Sequence, residues 1–472
     1  MRRASSSGCI VTLAKAFSCR FGWGLAAAIL IAGLVSRFGQ VFHHPPELGA
    51  SYPNDSIACD TGASTHLEGV YSPAEPTPHL GGTPEGSVPK AVGSGGIGKP
   101  YFRRDFNGAN NRETARISAS LLAQLEERAA DWGPCPLTEE ERHLVRDCED
   151  QRLDGFTFFQ AVLIAGGIPR RELDAYQQML DEHAQAVKTV ARESPDELSA
   201  VRNVFGYLHR RILTGGYQID ATNPGIALKT GRYNCVSAAI LFKLLAEAAG
   251  YPTRIEQLPT HAFCRVETTF ASIPVECTAP RWLDEVLLPQ FGLATKGVSI
   301  GSRDYSMEDD LGRLVSASRV SERDWRLYEQ GRTMSETQIV GTIYYNRGVD
   351  ALFSRQFDRA LFDNIVALRL DPTNQSAKDN LLASLNNWAI ALAEAQHFPQ
   401  AAERLYWALR CAPSAQPVQA NLTRLFRQWK TTLAREGCAA EFRTEAEKGL
   451  RELSSIPGTE SVQTNLRALL AE

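Results

Sequence analysis

The chain has 472 residues, a length suited to two or three domains, and its 43% hydrophobic and 22% charged content is that of a globular protein able to bury a core. A formal net charge of −4, with no Lys/Arg stripe carrying interleaved aromatics, argues against nucleic acid as a partner. Ten cysteines are too dilute for a disulfide framework, and no CxxC pair or zinc-spaced His/Cys cluster occurs, so neither a metal nor an organic cofactor is expected.

The first 20 residues form a basic tail carrying Arg2, Arg3, Lys15 and Arg20, ahead of an apolar run from Phe21 to Val35. That charge order is the one of an N-in signal sequence or anchor. Fifteen helical residues, at about 1.5 Å each, fall short of a hydrocarbon core of roughly 30 Å. The span suffices once Arg37 snorkels and Phe38 to Phe42 join it. No small-x-small cleavage pattern follows, so residues 21–42 read as an uncleaved single-pass anchor with the bulk outside the cytoplasm, in the periplasm. A cleaved signal peptide and a hydrophobic helix of a soluble protein are the alternatives. Residues 43–112 are rich in Pro, Gly and Ser, too poor in apolar surface to offset ordering entropy, and read as a disordered tether. With Cys9 and Cys19 ahead of the anchor and Cys235 reserved for chemistry, seven cysteines remain, an odd number that argues against full oxidative pairing.

Helical patterning begins near Glu113. Ile117, Leu121, Leu122 and Leu125 make one apolar stripe, and Phe156 to Ile164 and Leu198 to Leu213 follow as helices, the last stopped by Gly215 and Gly216. His183 and His209 fall on such stretches and read as solvated or satisfied helix residues, with Arg210 and Arg211 a surface pair. A sharply delimited helix comes next. Asn234 is a favoured N-cap, and Val236, Ala239, Ile240, Leu244, Leu245 and Ala248 keep the 3.6 period. Gly250 and Pro252 end it. Cys235 is then the first helical residue, where free backbone N–H groups and the helix dipole favour thiolate over thiol. The same N–H groups suit an oxyanion, with Asn234 as structural support.

Two strands follow, about His261 to Glu267 and Ala271 to Thr278. Paired as an antiparallel hairpin, they put His261 and Glu276 on one face with Phe263, Arg265, Pro274 and Thr278, and Cys264 and Cys277 on the other. A carboxylate on one imidazole nitrogen fixes the tautomer and leaves the other nitrogen for the thiol.

The segments NCVSAAILFKLLAEAAGYP, PTHAFCRV and PVECTAP, with the approach GGYQIDATNPGIALKTGRYN, resemble the transglutaminase-like superfamily, a branch of the papain-like cysteine fold, in its bacterial form. The resemblance covers about 80 residues, Leu198 to Trp282. It implies an α+β fold of helices with a small antiparallel sheet, Cys235 as nucleophile, His261 as base, and Glu276 where Asp is usual. It also implies a cysteine-dependent amide or peptide-bond hydrolase or acyl transferase acting on a peptide or protein. The competing expectation is an inactive membrane-tethered scaffold that binds a protein partner. A zinc amidase would need ligand spacing that is absent.

The transglutaminase-like domain is expected over residues 113–335, followed by an all-α repeat domain over 336–472. Ala360, Ala367 and Pro372 recur 41 residues later as Ala401, Ala408 and Pro413, and with Gly348 they fit the small-residue and terminal-proline positions of tetratricopeptide-like repeats. Residues 421–472 extend the helical pattern as a degenerate third repeat or a cap. The repeats either offer a groove to a protein partner or buttress the preceding domain.

Overall fold

In the computed structural model the described residues are 116–258, 260–284 and 328–472, all within one compact unit. The basic tail, the anchor and the linker (1–112) lie outside them, as does the stretch 285–327. No described helix is long and apolar enough to cross a membrane.

The architecture is mixed: fourteen described helices and one small antiparallel sheet. Local chemistry sets the helix starts. Helix α1 (Ala119–Trp132) is capped by Ser118, while α2 (Glu139–Asp147) and α3 (Phe158–Ala165) each open with a capping box, Thr138/Glu141 and Thr157/Gln160. Helix α4 (Leu173–Arg192) packs against α5 (Glu197–Arg211), which Asp196 caps, and short α6 (Pro224–Thr230) starts on Asn223 with Pro224 at N1. Helix α7 (Cys235–Ala248) begins and ends where its caps require, with Gly250 at φ 97° just beyond. Its burial exceeds the expected stripe. Ala238, Leu241 and Phe242 are also fully buried, because α4, α5, α6 and the sheet all pack around it.

Strands β1 (Thr253–Leu258), β2 (His261–Glu267), β3 (Ser272–Val275) and β4 (Arg332–Thr333) lie in the order β3-β2-β1-β4, all antiparallel. The β2–β3 ladder ends at Cys264↔Val275, so β3 is shorter than expected and Glu276 falls just past its last pair. Cys264 Sγ donates to the Ala239 carbonyl of α7, while Phe263 packs on Tyr328 and Arg265 donates to the Tyr328 carbonyl. The two faces of the hairpin thus divide as the alternation requires.

From Ser335, another capping-box residue, the chain is helical: α8 (Glu336–Phe353), α9 (Phe357–Leu370), α10 (Gln375–Glu394), α11 (Phe398–Cys411), α12 (Gln416–Arg435), α13 (Ala439–Ser454) and α14 (Glu460–Ala471). The 41-residue period runs through three hairpins. Each is turned by a residue at positive φ: Arg355 (58°), Gln396 (61°) and Gly437 (76°). The long first helices, 18 to 20 residues, account for a period above the tetratricopeptide length. Gly348 is there because a Cβ would meet Asn364 Nδ2 of the facing helix at 2.5 Å.

The first hairpin packs directly on the earlier helices, α8 against α3 and α9 against α1. Arg347 pairs with Glu141 and donates to the Ala165 carbonyl, and Arg369 pairs with Glu126 and Glu149. Arg404 lies 3.5 Å from the Trp132 ring centroid and 4.5 Å from that of Trp388. These contacts seat the first two hairpins on the N-terminal helices.

Candidate active site

The amino end of α7 is tied down by hydrogen bonds in several directions. Asn234 Oδ1 accepts from the Val236 and Ser237 amides at 2.9 and 3.1 Å, and its Nδ2 donates to the Ile219 carbonyl (2.9 Å) and Thr222 Oγ1 (2.7 Å). Ser237 Oγ accepts from the Asn234 amide and donates to the Ala221 carbonyl. Thr222 also accepts from Asn346 Nδ2 of α8 at 3.2 Å. This network fixes where the helix starts, and therefore where Cys235 sits. Cys235 is half-buried, whereas His261 and Glu276 are buried.

His261 Nε2 and Glu276 Oε2 are 2.5 Å apart. The other carboxylate oxygen, Oε1, accepts from the Thr278 amide (2.9 Å) and hydroxyl (2.5 Å), and Oε2 accepts a second bond from Tyr328 Oη (3.0 Å). Every strong acceptor site of this buried carboxylate is used. Burial alone would push the Glu276 pKa up; the charge of His261 and the hydrogen bonds from His261 and Thr278 outweigh it and hold the carboxyl below its usual range. Burial likewise works against a charged His261. The Glu276 charge, hydrogen bonding to Cys235 and Glu276, and the charge on the sulfur prevail, so the ring pKa is raised well above its ordinary value. With Nε2 engaged by the carboxylate, Nδ1 is the nitrogen left for the sulfur.

Cys235, His261 and Glu276, 41 residues apart in sequence, are therefore brought together, with Asn234 beneath the sulfur-bearing residue. Thr278 holds the carboxylate oxygen that faces away from the ring. Tyr217 also approaches: burial first, then the charges of Cys235, Glu276 and Tyr233, push its phenol pKa upward and keep it neutral.

Three features escaped the sequence. Thr278 was placed on the right face, and its role as a local cap on a residue two positions earlier had a signal in the Glu-x-Thr spacing. Tyr328 had none, being 52 residues from its acceptor. His209 corrects the expectation of a solvated or satisfied residue. Both of its ring nitrogens are buried without a well-formed hydrogen bond, and it lies edge-on to Phe205 at 4.8 Å. Burial, only partly offset by the Cys277 backbone and the Glu276 charge, pushes its pKa down to about 3.

Among the described residues no group of three or more His, Cys, Asp or Glu side chains could hold a metal ion. A groove of about 330 Å³ lies elsewhere, between α11, α12 and α13, lined by Pro399, Trp429, Leu433, Glu441, Thr444 and Glu445. Comparisons with known protein families, curated proteins and solved structures find no match to this chain.

Proposed function

We propose that this chain is a transglutaminase-like cysteine amidase or acyl transferase of papain-like fold, acting on peptide or protein amides through Cys235, His261 and Glu276. The observation that carries the proposal is the 2.5 Å contact between His261 and a fully satisfied Glu276, beside a half-buried cysteine at the first position of a helix. A cysteine-first helix packed on an antiparallel sheet, with the histidine on the next but one element and the acid just after the following strand, supports the papain-like assignment.

In this mechanism the Cys235 sulfur attacks the amide carbonyl. The free N–H groups at the start of α7 lie where the developing oxyanion needs donors. His261, charged against Glu276, gives its Nδ1 proton to the leaving amine, and a thioester remains on Cys235. His261, now neutral, takes a proton from water for hydrolysis or from an amine for transfer. Glu276 keeps the ring oriented throughout and stays ionised.

An N-terminal anchor over residues 21–42, with the folded part outside the cytoplasm, belongs to the same proposal and rests on the basic residues ahead of the apolar run. The helical hairpins act as a support for the catalytic half; a protein partner there is a secondary role.

Alkylation tests the reading. Iodoacetamide should modify Cys235 rapidly well below pH 8, and His261→Ala should slow that modification by about 10²-fold or more. Labelling of Cys235 at the rate of an ordinary thiol in both proteins would leave the non-catalytic scaffold instead.

A further inference from the structure

Building on that triad, we propose that Tyr328 is a positioning residue for the acid: its hydroxyl, donated to the same oxygen that holds His261, fixes Glu276 in the ionised, ring-facing state. Glu276 Oε2 accepts from His261 Nε2 at 2.5 Å and from Tyr328 Oη at 3.0 Å, while Oε1 is held by Thr278. Rotating the carboxylate therefore breaks bonds at both oxygens. Donors to the ionised form also oppose its protonation.

Tyr328 is itself held from several sides. Arg265 Nη2 donates to its carbonyl at 2.8 Å, and Arg265 is in turn paired bidentately with buried Glu256 at 2.7 and 2.9 Å. The ring sits edge-on to Phe263 at 4.9 Å and beside Trp282 at 5.2 Å. Three residues on, Gly331 lets the chain press onto the sheet, since a Cβ there would lie 2.7 Å from both Glu256 Oε2 and Phe263 Cζ. The chain then enters β4 alongside β1. A phenol that merely needed an acceptor could have been met by any nearby carbonyl; this one is braced by an ion pair, two aromatic rings and a glycine against the acid itself.

The titratable groups facing Glu276 are His261, Tyr328, Tyr217, Cys235, His209 and the neighbouring Cys277, whose thiol burial pushes well up, and those behind Tyr328 are Arg265 and Glu256. His209 stays neutral across the working range because burial pushes it to about 3.

The experiment measures iodoacetamide alkylation of Cys235 by mass spectrometry from pH 4 to 9 on the full chain, with melting temperatures in parallel. Tyr328→Phe keeps the ring and removes the hydroxyl. We expect the plateau rate to fall by about three- to ten-fold, the scale of one hydrogen bond to a charged group, and the acid limb to move to higher pH. Leu453→Ala, in α13 of the helical hairpins, removes a fully buried side chain; it should lower the melting temperature and leave the acid limb in place. If Tyr328→Phe fails to fold, 3-fluorotyrosine at position 328, a stronger donor of the same shape, should move the limb to lower pH. A Tyr328→Phe profile that superimposes on the wild type, an unmoved fluorotyrosine limb, or a Leu453→Ala shift as large as that of Tyr328→Phe would overturn the proposal. Failure of the triad itself looks different: Cys235 would then label as an ordinary thiol and ignore His261→Ala.

Discussion

Glu276 in the sheet region and Asp363 in α9 are both completely buried, yet their surroundings drive them in opposite directions. Glu276 is held below the usual carboxylate range, while burial pushes Asp363 up to about 6 despite the charges of Arg347 and Arg359. The difference lies in hydrogen bonding. Glu276 has four donors on its two oxygens. Asp363 has guanidinium groups at 3.2 and 3.5 Å but no bond of good geometry to either oxygen. Counter-charge nearby does not by itself offset the loss of water; directed donors do. The carboxylate proposed to do chemistry is the one whose oxygens are all bonded, while the buried carboxylate of α9 is left without directed donors.

Glu276→Gln is the sharpest way to break this contrast. It keeps the shape but turns one acceptor oxygen into a donor facing either His261 or Thr278. A fall in amide turnover, or in Cys235 acylation by a peptide electrophile, of about 10²- to 10⁴-fold is expected, the scale of a lost orienting carboxylate. Retention of near-wild-type rates would mean that the acid is only structural.

Asp363→Asn probes the other side. Because the folded pKa of Asp363 lies above its unfolded value, its contribution to stability is fully present below about 3.8 and is lost as pH rises through about 6. Urea unfolding between pH 4 and 7 should show this loss, on the order of 1–3 kcal/mol, in the wild type, and Asp363→Asn should flatten it. An unchanged slope would show that Arg347 and Arg359 already compensate the charge.

The smallest effect concerns buried amides. Asn234 has four hydrogen bonds from its side chain, whereas Asn380, also buried, has an Nδ2 with no partner among the described residues. Asn234→Ala should cost about 2 kcal/mol and slow Cys235 alkylation, while Asn380→Ala should stay within about 1 kcal/mol by the same urea measurement. Equal costs would erase the distinction between the two halves.

Much of the candidate site was legible because its signals are local. Asn234 ahead of a period-3.6 helix, Gly250 and Pro252 behind it, and two short alternating strands place Cys235, His261 and Glu276 from residues that are near neighbours in the chain. The same holds for the repeats, where the third copy is degenerate as expected: Gly449 keeps the small position of Ala367 and Ala408, whereas Phe442 and Ser454 replace the alanine and the proline, and the turn at Gly437 completes the period. The extent of burial of α7 was not legible. An apolar stripe reports one packed face, and the small residues on its other faces admit neighbours without announcing them.

By itself the sequence determined the capped start and the glycine-marked end of α7, the alternation of the β2–β3 hairpin though not the end of β3, the order Cys–His–Glu along the chain, and the 41-residue period, because caps, periodicity and turns depend on residues within a few positions of one another. The tertiary structure alone decided that Tyr328 meets Glu276, that Asn346 reaches Thr222 beneath the cap of α7, and that His209 is shut away from solvent. Those contacts join segments 52 to 124 residues apart, or, for His209, reflect what packs around a helix. Such contacts are chosen by how surfaces fit once collapsed, and that fit leaves no periodic trace in the chain.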